Sequence, residues 1–341
     1  CFSSCCDGLL RSVQLEYPKM RLRLLTLSCS MPCAGALPGS EFERVLIREV
    51  KLCSNMTVPT SEVNVLYRDG AVYAKRFKPL VLQPAAASTI ALEGAYVITG
   101  GMGGLGLLTA KVLVELRCAR HIVLVSRSGR VSHEGQGLEA DLSWLQQQAG
   151  VSIHVMRCDV SDECALVSML ASVREQCGSI VGVVHSAGVL RDGMLRGGKA
   201  VAGSDLVWSS KAHSGWLLHQ HTLCDSLRSF VCYSSITSSL GNPGQSAYGA
   251  ANGFLDQLVE SRVLGGLCGT SIQWPAITGV GMAAANHVDH DGWSVDCSCV
   301  RQVLDIALRR SVSLSVLPVE LLVKEVPRLG VAVQFETVVE K

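Results

Sequence analysis

An excess of charge of either sign is missing from this 341-residue chain: 30 Lys and Arg stand against 29 Asp and Glu, a formal net charge of +1. With no global field to attract them, nucleic acid and anionic membranes are set aside as partners. Long apolar runs are missing too. Arg, Lys, His or Glu interrupts every candidate before the ~18 to 20 residues that a membrane span requires, so no such span is expected. Aromatics make up 5% and charged residues 17%, but 48% of the chain is hydrophobic. That excludes a disordered or fibrous protein and suffices for one large or two modest domains. The 15 cysteines include no C-x-x-C pair and are odd in number. They read as reduced, small core residues of an intracellular, cytoplasmic protein rather than as a disulfide frame or zinc site. Internal repeats and low-complexity tracts are absent. So are an initiator Met and a secretory leader, and the start at Cys1 reads as a piece of a longer polypeptide whose targeting stays open.

Residues 1–40 carry little periodicity, apart from the basic-apolar run Met20–Leu25, which alternates like an edge strand. A short helix is expected over 41–50. Asp69-Gly70 supplies the positive backbone angles of a tight turn, so the runs at 62–67 and 71–77 form a hairpin. Leu82-Gln83-Pro84-Ala85-Ala86-Ala87-Ser88 is a small-residue link, and the main boundary is expected there: 1–88, a catalytic unit at 89–320, and a tail at 321–341.

A glycine run organises the remainder. Thr99-Gly100-Gly101-Met102-Gly103-Gly104-Leu105-Gly106 follows the apolar Ala95-Tyr96-Val97-Ile98 and opens into residues 107–114, which have helical composition. Strand, glycine turn and helix put backbone N–H groups where the helix macrodipole favours a pyrophosphate. Beyond it, strand-like runs at 121–126, 151–156, 180–185, 229–234, 270–274 and 314–317 alternate with helix-like runs at 138–149, 164–176, 202–223, 246–264 and 299–309. The alternation predicts an α/β, Rossmann-like, doubly wound parallel sheet with ligands at the carboxyl ends of its strands.

Those ends carry the chemistry. At Ser126-Arg127 an acid would hold the ribose hydroxyls of NAD; an arginine can meet a 2′-phosphate and points to NADPH, the alternative being a solvated surface arginine. Asp159 and Val160 close the third strand, where the carboxylate can accept from the adenine amine, and Asp162 reads as a helix N-cap. Ser186, Ala187 and Gly188 end the fourth strand with residues small enough for a cofactor to lie against the backbone. Ser235 closes the fifth, Tyr248 follows it by thirteen positions, and Asn252 lies one helical turn further on the same face. An ordinary tyrosine is a poor acid–base group at neutral pH. A nearby cation corrects this by favouring the phenolate, and Lys211 is the candidate. Singly these residues read as a strand-end hydroxyl, a packed aromatic and a surface charge; their joint spacing argues against coincidence. His213, His219 and His221 lack a companion Cys or acid set and read as surface or capping residues, with no metal site.

On these residues the sequence resembles the short-chain dehydrogenase/reductase superfamily, and within it the β-ketoacyl reductase domains of polyketide synthases. The resemblance covers about residues 91–318. It is carried by the glycine run, by His185-Ser186-Ala187-Gly188-Val189, and by Tyr233-Ser234-Ser235 with Gly241-Asn242-Pro243-Gly244-Gln245-Ser246-Ala247-Tyr248-Gly249-Ala250-Ala251-Asn252. Most such reductases keep Lys four residues after the Tyr; here Asn252 stands there and the lysine comes earlier, the synthase-type exchange. The resemblance implies NADPH-dependent reduction of a β-ketoacyl thioester on the phosphopantetheine of an acyl carrier protein, among neighbouring synthase domains. Tyr248 would be the proton donor, Ser235 its partner on the carbonyl oxygen, and Lys211 and Asn252 their support. It also implies that residues 1–88 end a truncated, non-catalytic subdomain of structural role. Leu190-Arg191-Asp192 stands where the family shows Leu-Asp-Asp, and Leu240 where one class has Trp. Asp192 with the missing Trp favours the B-type outcome, a D-configured (usually R) alcohol. Trp274-Pro275 replaces a common Trp-Gly before a lid whose hinge would be Gly279-Val280-Gly281-Met282-Ala283. The rivals are a catalytically silent reductase-like domain and a freestanding short-chain reductase, which would keep Lys at position 252.

Overall fold

Strands buried on both faces must be apolar at nearly every position rather than at alternate ones, and the central runs of this chain meet that demand. The computed structural model describes residues 2–17, 24–28, 64–68, 71–74, 94–132, 136–195, 202–281, 294–309, 311 and 313–316. The elements comprise α1 (Phe2–Glu16), β1 (Leu24–Ser28), β2 (Asn64–Arg68), β3 (Ala71–Ala74), β4 (Ala95–Thr99), α2 (Gly104–Glu115), β5 (His121–Ser126) and α3 (Leu138–Gln146). Then come β6 (Ser152–Arg157), α4 (Glu163–Cys177), β7 (Ile180–His185), α5 (Ser204–Trp208), a π-type turn (Ser209–His213) and α6 (Ser214–His221). The chain continues through β8 (Ser229–Ser235), α7 (Thr237–Leu240), α8 (Ser246–Leu264), β9 (Thr270–Trp274), β10 (Ala276–Thr278), β11 (Ser294–Asp296), α9 (Cys299–Arg309) and β12 (Ser313–Ser315).

Seven parallel strands lie in the order β12-β9-β8-β7-β4-β5-β6. The order reverses between β4 and β7, which places the ligand crevice of such a sheet at their carboxyl ends. Alternate residues feed two cores. Tyr96, Ile98, Ile122 and Leu124 face α2, α3 and α9 through Leu107, Leu145 and Leu304. Ala95, Val97, Val123 and Val125 face α4, α6 and α8 through Leu166, Leu218 and Leu255.

The expected hairpin is present: β2 and β3 pair antiparallel, with Arg68 opposite Ala71 across a two-residue connection. β1 lies parallel to β2 at the edge of that small sheet. The helix expected over 41–50, the tail at 321–341 and the hinge residues Met282 and Ala283 lie outside the described residues.

Two features depart from the sequence reading. The helix expected over 202–223 runs unbroken from Ser204 to His221 but is widened into the π-type turn around Lys211. Residues 2–16, read without periodicity, form α1, which packs across α8. At the crossing a Cβ on Gly8 would stand 2.2 Å from the Gly249 carbonyl oxygen, so the two backbones meet where neither residue has a side chain.

Candidate functional site

The glycine loop joins β4 to α2 and its glycines divide by role. Gly100 takes φ +65°, and a Cβ there would meet Ala187 at 2.9 Å; on Gly101 it would meet Leu124 Cα at 2.8 Å, and on Gly106 the Gly100 oxygen at 2.3 Å. These three let the loop pack on β5, β7 and itself. Gly104 is equally confined, with Gly281 2.5 Å from its would-be Cβ, whereas a Cβ on Gly103 would meet nothing closer than 3.3 Å. Gly103 precedes α2 with no side-chain cap, and the first turn of the helix holds no acid. Open backbone N–H groups at that end fit an anionic pyrophosphate, while Leu105 turns back onto the core.

The neighbouring strand ends converge on this loop. Ser186 Oγ donates to the Thr99 carbonyl at 2.7 Å, and the Ala187 N–H reaches Thr99 Oγ1 at 3.3 Å. Gly188 also leaves room for the lysine stem: its would-be Cβ lies 2.8 Å from Lys211 Cε. At the end of β5, Ser126 Oγ accepts from the Gly129 N–H at 2.9 Å and Arg127 is exposed. Asp159 accepts from Ser161 Oγ and N–H at 2.6 and 3.0 Å, which with the Arg127 charge holds its pKa below the usual value; Val160 is buried beside it. Asp162 caps α4 by accepting from the Ala165 N–H at 3.0 Å, as expected.

Lys211 sits in the π-type turn, 3% exposed, with Nζ donating to the Tyr233 carbonyl at 2.8 Å and lying 5.4 Å from the centre of the Tyr248 ring. Single π-type turns within α-helices are frequent at functional sites. Here the Lys211 oxygen lies 2.9 Å from His185 Nε2, and His185 Nδ1 lies 2.7 Å from Thr99 Oγ1. A carbonyl only accepts, so Nε2 carries the proton and Nδ1 accepts from the Thr99 hydroxyl. Burial lowers the Lys211 pKa to about 8, and burial together with the lysine charge lowers that of His185 to about 4.

Tyr248 and Asn252 project from the first turns of α8, the helix spanning the boundaries the sequence predicts. Burial pushes the Tyr248 hydroxyl up to about 12, with Asn252 and Ser235 acting in the opposite direction as hydrogen-bond partners and Asp192 reinforcing the rise. The cation effect expected from sequence is thus outweighed by desolvation, and the resting group is a neutral phenol. Asn252 Nδ2 donates to the Tyr248 carbonyl at 2.8 Å, while its buried Oδ1 meets no donor within bonding distance.

A polar chain runs from Ser235 outwards. Ser235 Oγ donates to Thr237 Oγ1 (3.1 Å), Thr237 Oγ1 to Gln245 Oε1 (3.2 Å), and Gln245 Nε2 to Asp192 Oδ2 (2.9 Å). Leu240 is buried at the end of α7. Sequence reasoning did not find Gln245 as a link or Asp256, which lies one further turn along α8 from Asn252. Asp256 accepts from Ser238 and Gln273 at 2.6 and 2.7 Å and from Ser271 at 2.5 Å, pinning α8 to α7 and β9. The i, i+4, i+8 spacing of Tyr248, Asn252 and Asp256 was the available signal.

His219 and His221 are engaged by Arg262 and Glu163. Among the described residues, His121, His154 and Cys177 bring three metal-capable groups within 4.8 Å of one another. Two of them share a 3.1 Å hydrogen bond at the amino end of β5, away from the glycine loop.

Residues 94–279 match the family described as the KR domain. The chain belongs to that family. Its relatives are polyketide synthases and similar enzymes. The chain is 34% identical over 286 residues to a chalcone synthase, cfoA, of Aspergillus candidus, covering 83% of this chain and 10% of that protein. It is 36% identical over 197 residues to the phenolphthiocerol synthesis polyketide synthase Pks15/1 of Mycobacterium marinum, covering 58% and 9%. The KR domain thus spans about a tenth of the length of these curated relatives. An A-type ketoreductase from a modular polyketide synthase superposes with a TM-score of 0.74 at 28% identity, covering 91% of this chain and 63% of that one. Membership makes this a KR domain of polyketide-synthase type, within a family of nicotinamide-dependent oxidoreductases.

Proposed function

We propose that this KR domain uses NADPH to reduce the β-carbonyl of a β-ketoacyl thioester, presented on an acyl carrier protein, to the β-hydroxyacyl thioester. The observation that carries the reading is Lys211 Nζ, 5.4 Å from the Tyr248 ring although the lysine precedes the tyrosine by 37 positions. The nucleotide, when bound, supplies the hydride for the carbonyl carbon. Gly103, by lacking a side chain, would leave room for its pyrophosphate at the N-terminal amides of α2, Ser126 and Arg127 would hold its ribose 2′-phosphate and Asp159 and Val160 its adenine, and Thr99 with Ser186 to Gly188 would line the nicotinamide half.

Tyr248 donates its proton to the carbonyl oxygen. A phenol raised to about 12 is fully protonated at neutral pH and suits the reductive direction. Ser235 hydrogen-bonds the same oxygen as negative charge develops there. Lys211, charged below about pH 8, stabilises the phenolate left behind. Asn252, whose buried Oδ1 has no protein donor within bonding distance, would accept from a water of the relay that reprotonates Tyr248 and links it to Lys211. Asp192 and Leu240 support a B-type outcome, the D-configured (usually R) alcohol. The boundary near residue 88 is part of the same reading, with the 1–88 segment in a structural role, and the neighbouring synthase domains and the carrier protein are its partners.

The test is consumption of NADPH with a β-ketoacyl N-acetylcysteamine thioester and chiral analysis of the product. Wild-type protein forms one enantiomer in excess. Tyr248→Phe lowers kcat by about 10² to 10⁴-fold with NADPH affinity unchanged; an unchanged rate in that variant sinks the mechanism.

A further inference from the structure

The loop that carries Asp192 and the loop that leads into Tyr248 are held together from outside the catalytic sheet. Glu16, the last residue of α1, accepts from the Gly244 N–H at 2.9 Å through Oε1 and from the Leu195 N–H at 2.8 Å through Oε2. The two loops also touch directly, the Gly193 N–H donating to the Gly244 carbonyl at 2.8 Å. One carboxylate therefore spans residues 179 and 228 positions away from it in sequence.

Its place is fixed by the rest of α1. Ser12 Oγ accepts from the Asn242 N–H at 3.2 Å. Gly241, at φ +76°, would drive a Cβ to 2.6 Å from the Arg11 backbone. Arg11 is locked by its ion pair with Asp7 at 2.9 Å, and both are buried. Gly8 meets Gly249, the residue after Tyr248, backbone to backbone. Glu16 therefore stands on a rigid element and presents both carboxylate oxygens to backbone donors, the kind of charge-assisted contact that fixes loop geometry.

We propose that Glu16 is a positioning residue that sets the register of the Asp192 loop against the Tyr248 helix, and so the face of the β-carbonyl turned towards the hydride. The link runs through short steps. Gly244 adjoins Gln245, which bonds Asp192 at 2.9 Å and connects through Thr237 to Ser235. A shift of either loop changes the placing of Asp192 relative to Tyr248 and Ser235, and misplacements near 1 Å at a reacting centre cost up to about 10²-fold in rate. Because no contact of Glu16 involves the glycine loop, nucleotide binding is untouched by its loss. The inference rests on the reductase reading above.

The test uses the 341-residue chain and Glu16→Gln, which keeps the shape but turns an N–H donor towards one of the two backbone N–H groups. The expected result is about a 10- to 100-fold fall in kcat/KM for the β-ketoacyl N-acetylcysteamine thioester, at least a threefold fall in enantiomeric ratio, and NADPH affinity within twofold of wild type. Hydrogen exchange at Leu195 and Gly244 quickens while the middle of α8 stays protected. An enantiomeric ratio and kcat/KM equal to wild type overturn the proposal. Should Glu16→Gln not fold, Leu195→Pro, which removes one donor from the far side, must lower the enantiomeric ratio; an unchanged ratio there overturns it equally. Wild-type protein inert towards the thioester would sink the reductase reading instead, and unchanged exchange at Leu195 and Gly244 in Glu16→Gln would then sink the clamp separately.

Discussion

His185 Nε2 lies 2.9 Å from the carbonyl oxygen of Lys211, and this bond ties the glycine loop to the site lysine through Thr99 Oγ1, 2.7 Å from His185 Nδ1. These bonds suit a neutral imidazole, because a proton on Nδ1 would displace the hydroxyl hydrogen of Thr99 and the resulting cation would be opposed by the Lys211 charge.

Acid sensitivity follows. Unfolded, His185 takes up a proton near pH 6.5; folded, it resists until about 4. A depressed pKa contributes stability that is present above 6.5 and is lost as pH falls from 6.5 through 4, by roughly 3 kcal/mol at most. Melting temperature measured between pH 4 and 8 falls on the acid side, and His185→Gln flattens that limb by one proton while lowering stability at pH 7.

Reduction slows on the alkaline side. Lys211 loses its charge as pH rises through about 8, whereas Tyr248 keeps its proton up to about 12. The initial rate is expected to be level near pH 6 to 7 and to fall above about 8 with the slope of a single group. Lys211→Met removes that limb and leaves a slow, pH-independent rate; an alkaline limb that persists in this variant assigns the titration elsewhere.

The glycines separate folding from cofactor binding. Gly106→Ala puts a Cβ 2.3 Å from a backbone oxygen that cannot move aside, at an expected cost of about 1–3 kcal/mol in stability. Gly103→Ala, with its nearest neighbour at 3.3 Å, leaves the melting temperature close to wild type but weakens NADPH binding tenfold or more. Thermal melts and nucleotide titrations on the two variants distinguish these effects.

Nucleotide choice is tested at Arg127. Arg127→Ala is expected to raise KM for NADPH about 10- to 100-fold, the worth of a charged hydrogen bond, with KM for NADH altered only a few-fold. Equal changes for both nucleotides contradict the role given to this exposed side chain.

The central strands were legible because they are buried on both faces: Ile180–His185 and Thr270–Trp274 are strands over the residues the apolar runs mark out, and α8 spans the expected Ser246–Leu264. α1 was not legible for the converse reason. Its inward residues are Cys5, Asp7, Gly8, Arg11 and Ser12, polar or small, while Leu9 faces outward, so no apolar stripe marks the helix. The turn at Lys211 escaped notice because nothing in the composition of Ser209–His213 marks a widened turn, and the bond from His185 that meets it comes from far along the chain. Ser235, Tyr248 and Asn252 were readable from spacing on one strand and one helix. Glu16 was not, since its partners lie far along the chain and are backbone groups that no residue type announces.

The glycine-on-glycine crossing of α1 and α8 bears on how this reductase could be transplanted. A graft cut at the small-residue link near residue 88 would leave behind the helix that seals Gly249, caps the Asn242 turn and anchors Glu16. A catalytic unit excised together with α1 keeps these contacts, and any side chain at position 8 would meet the Gly249 carbonyl.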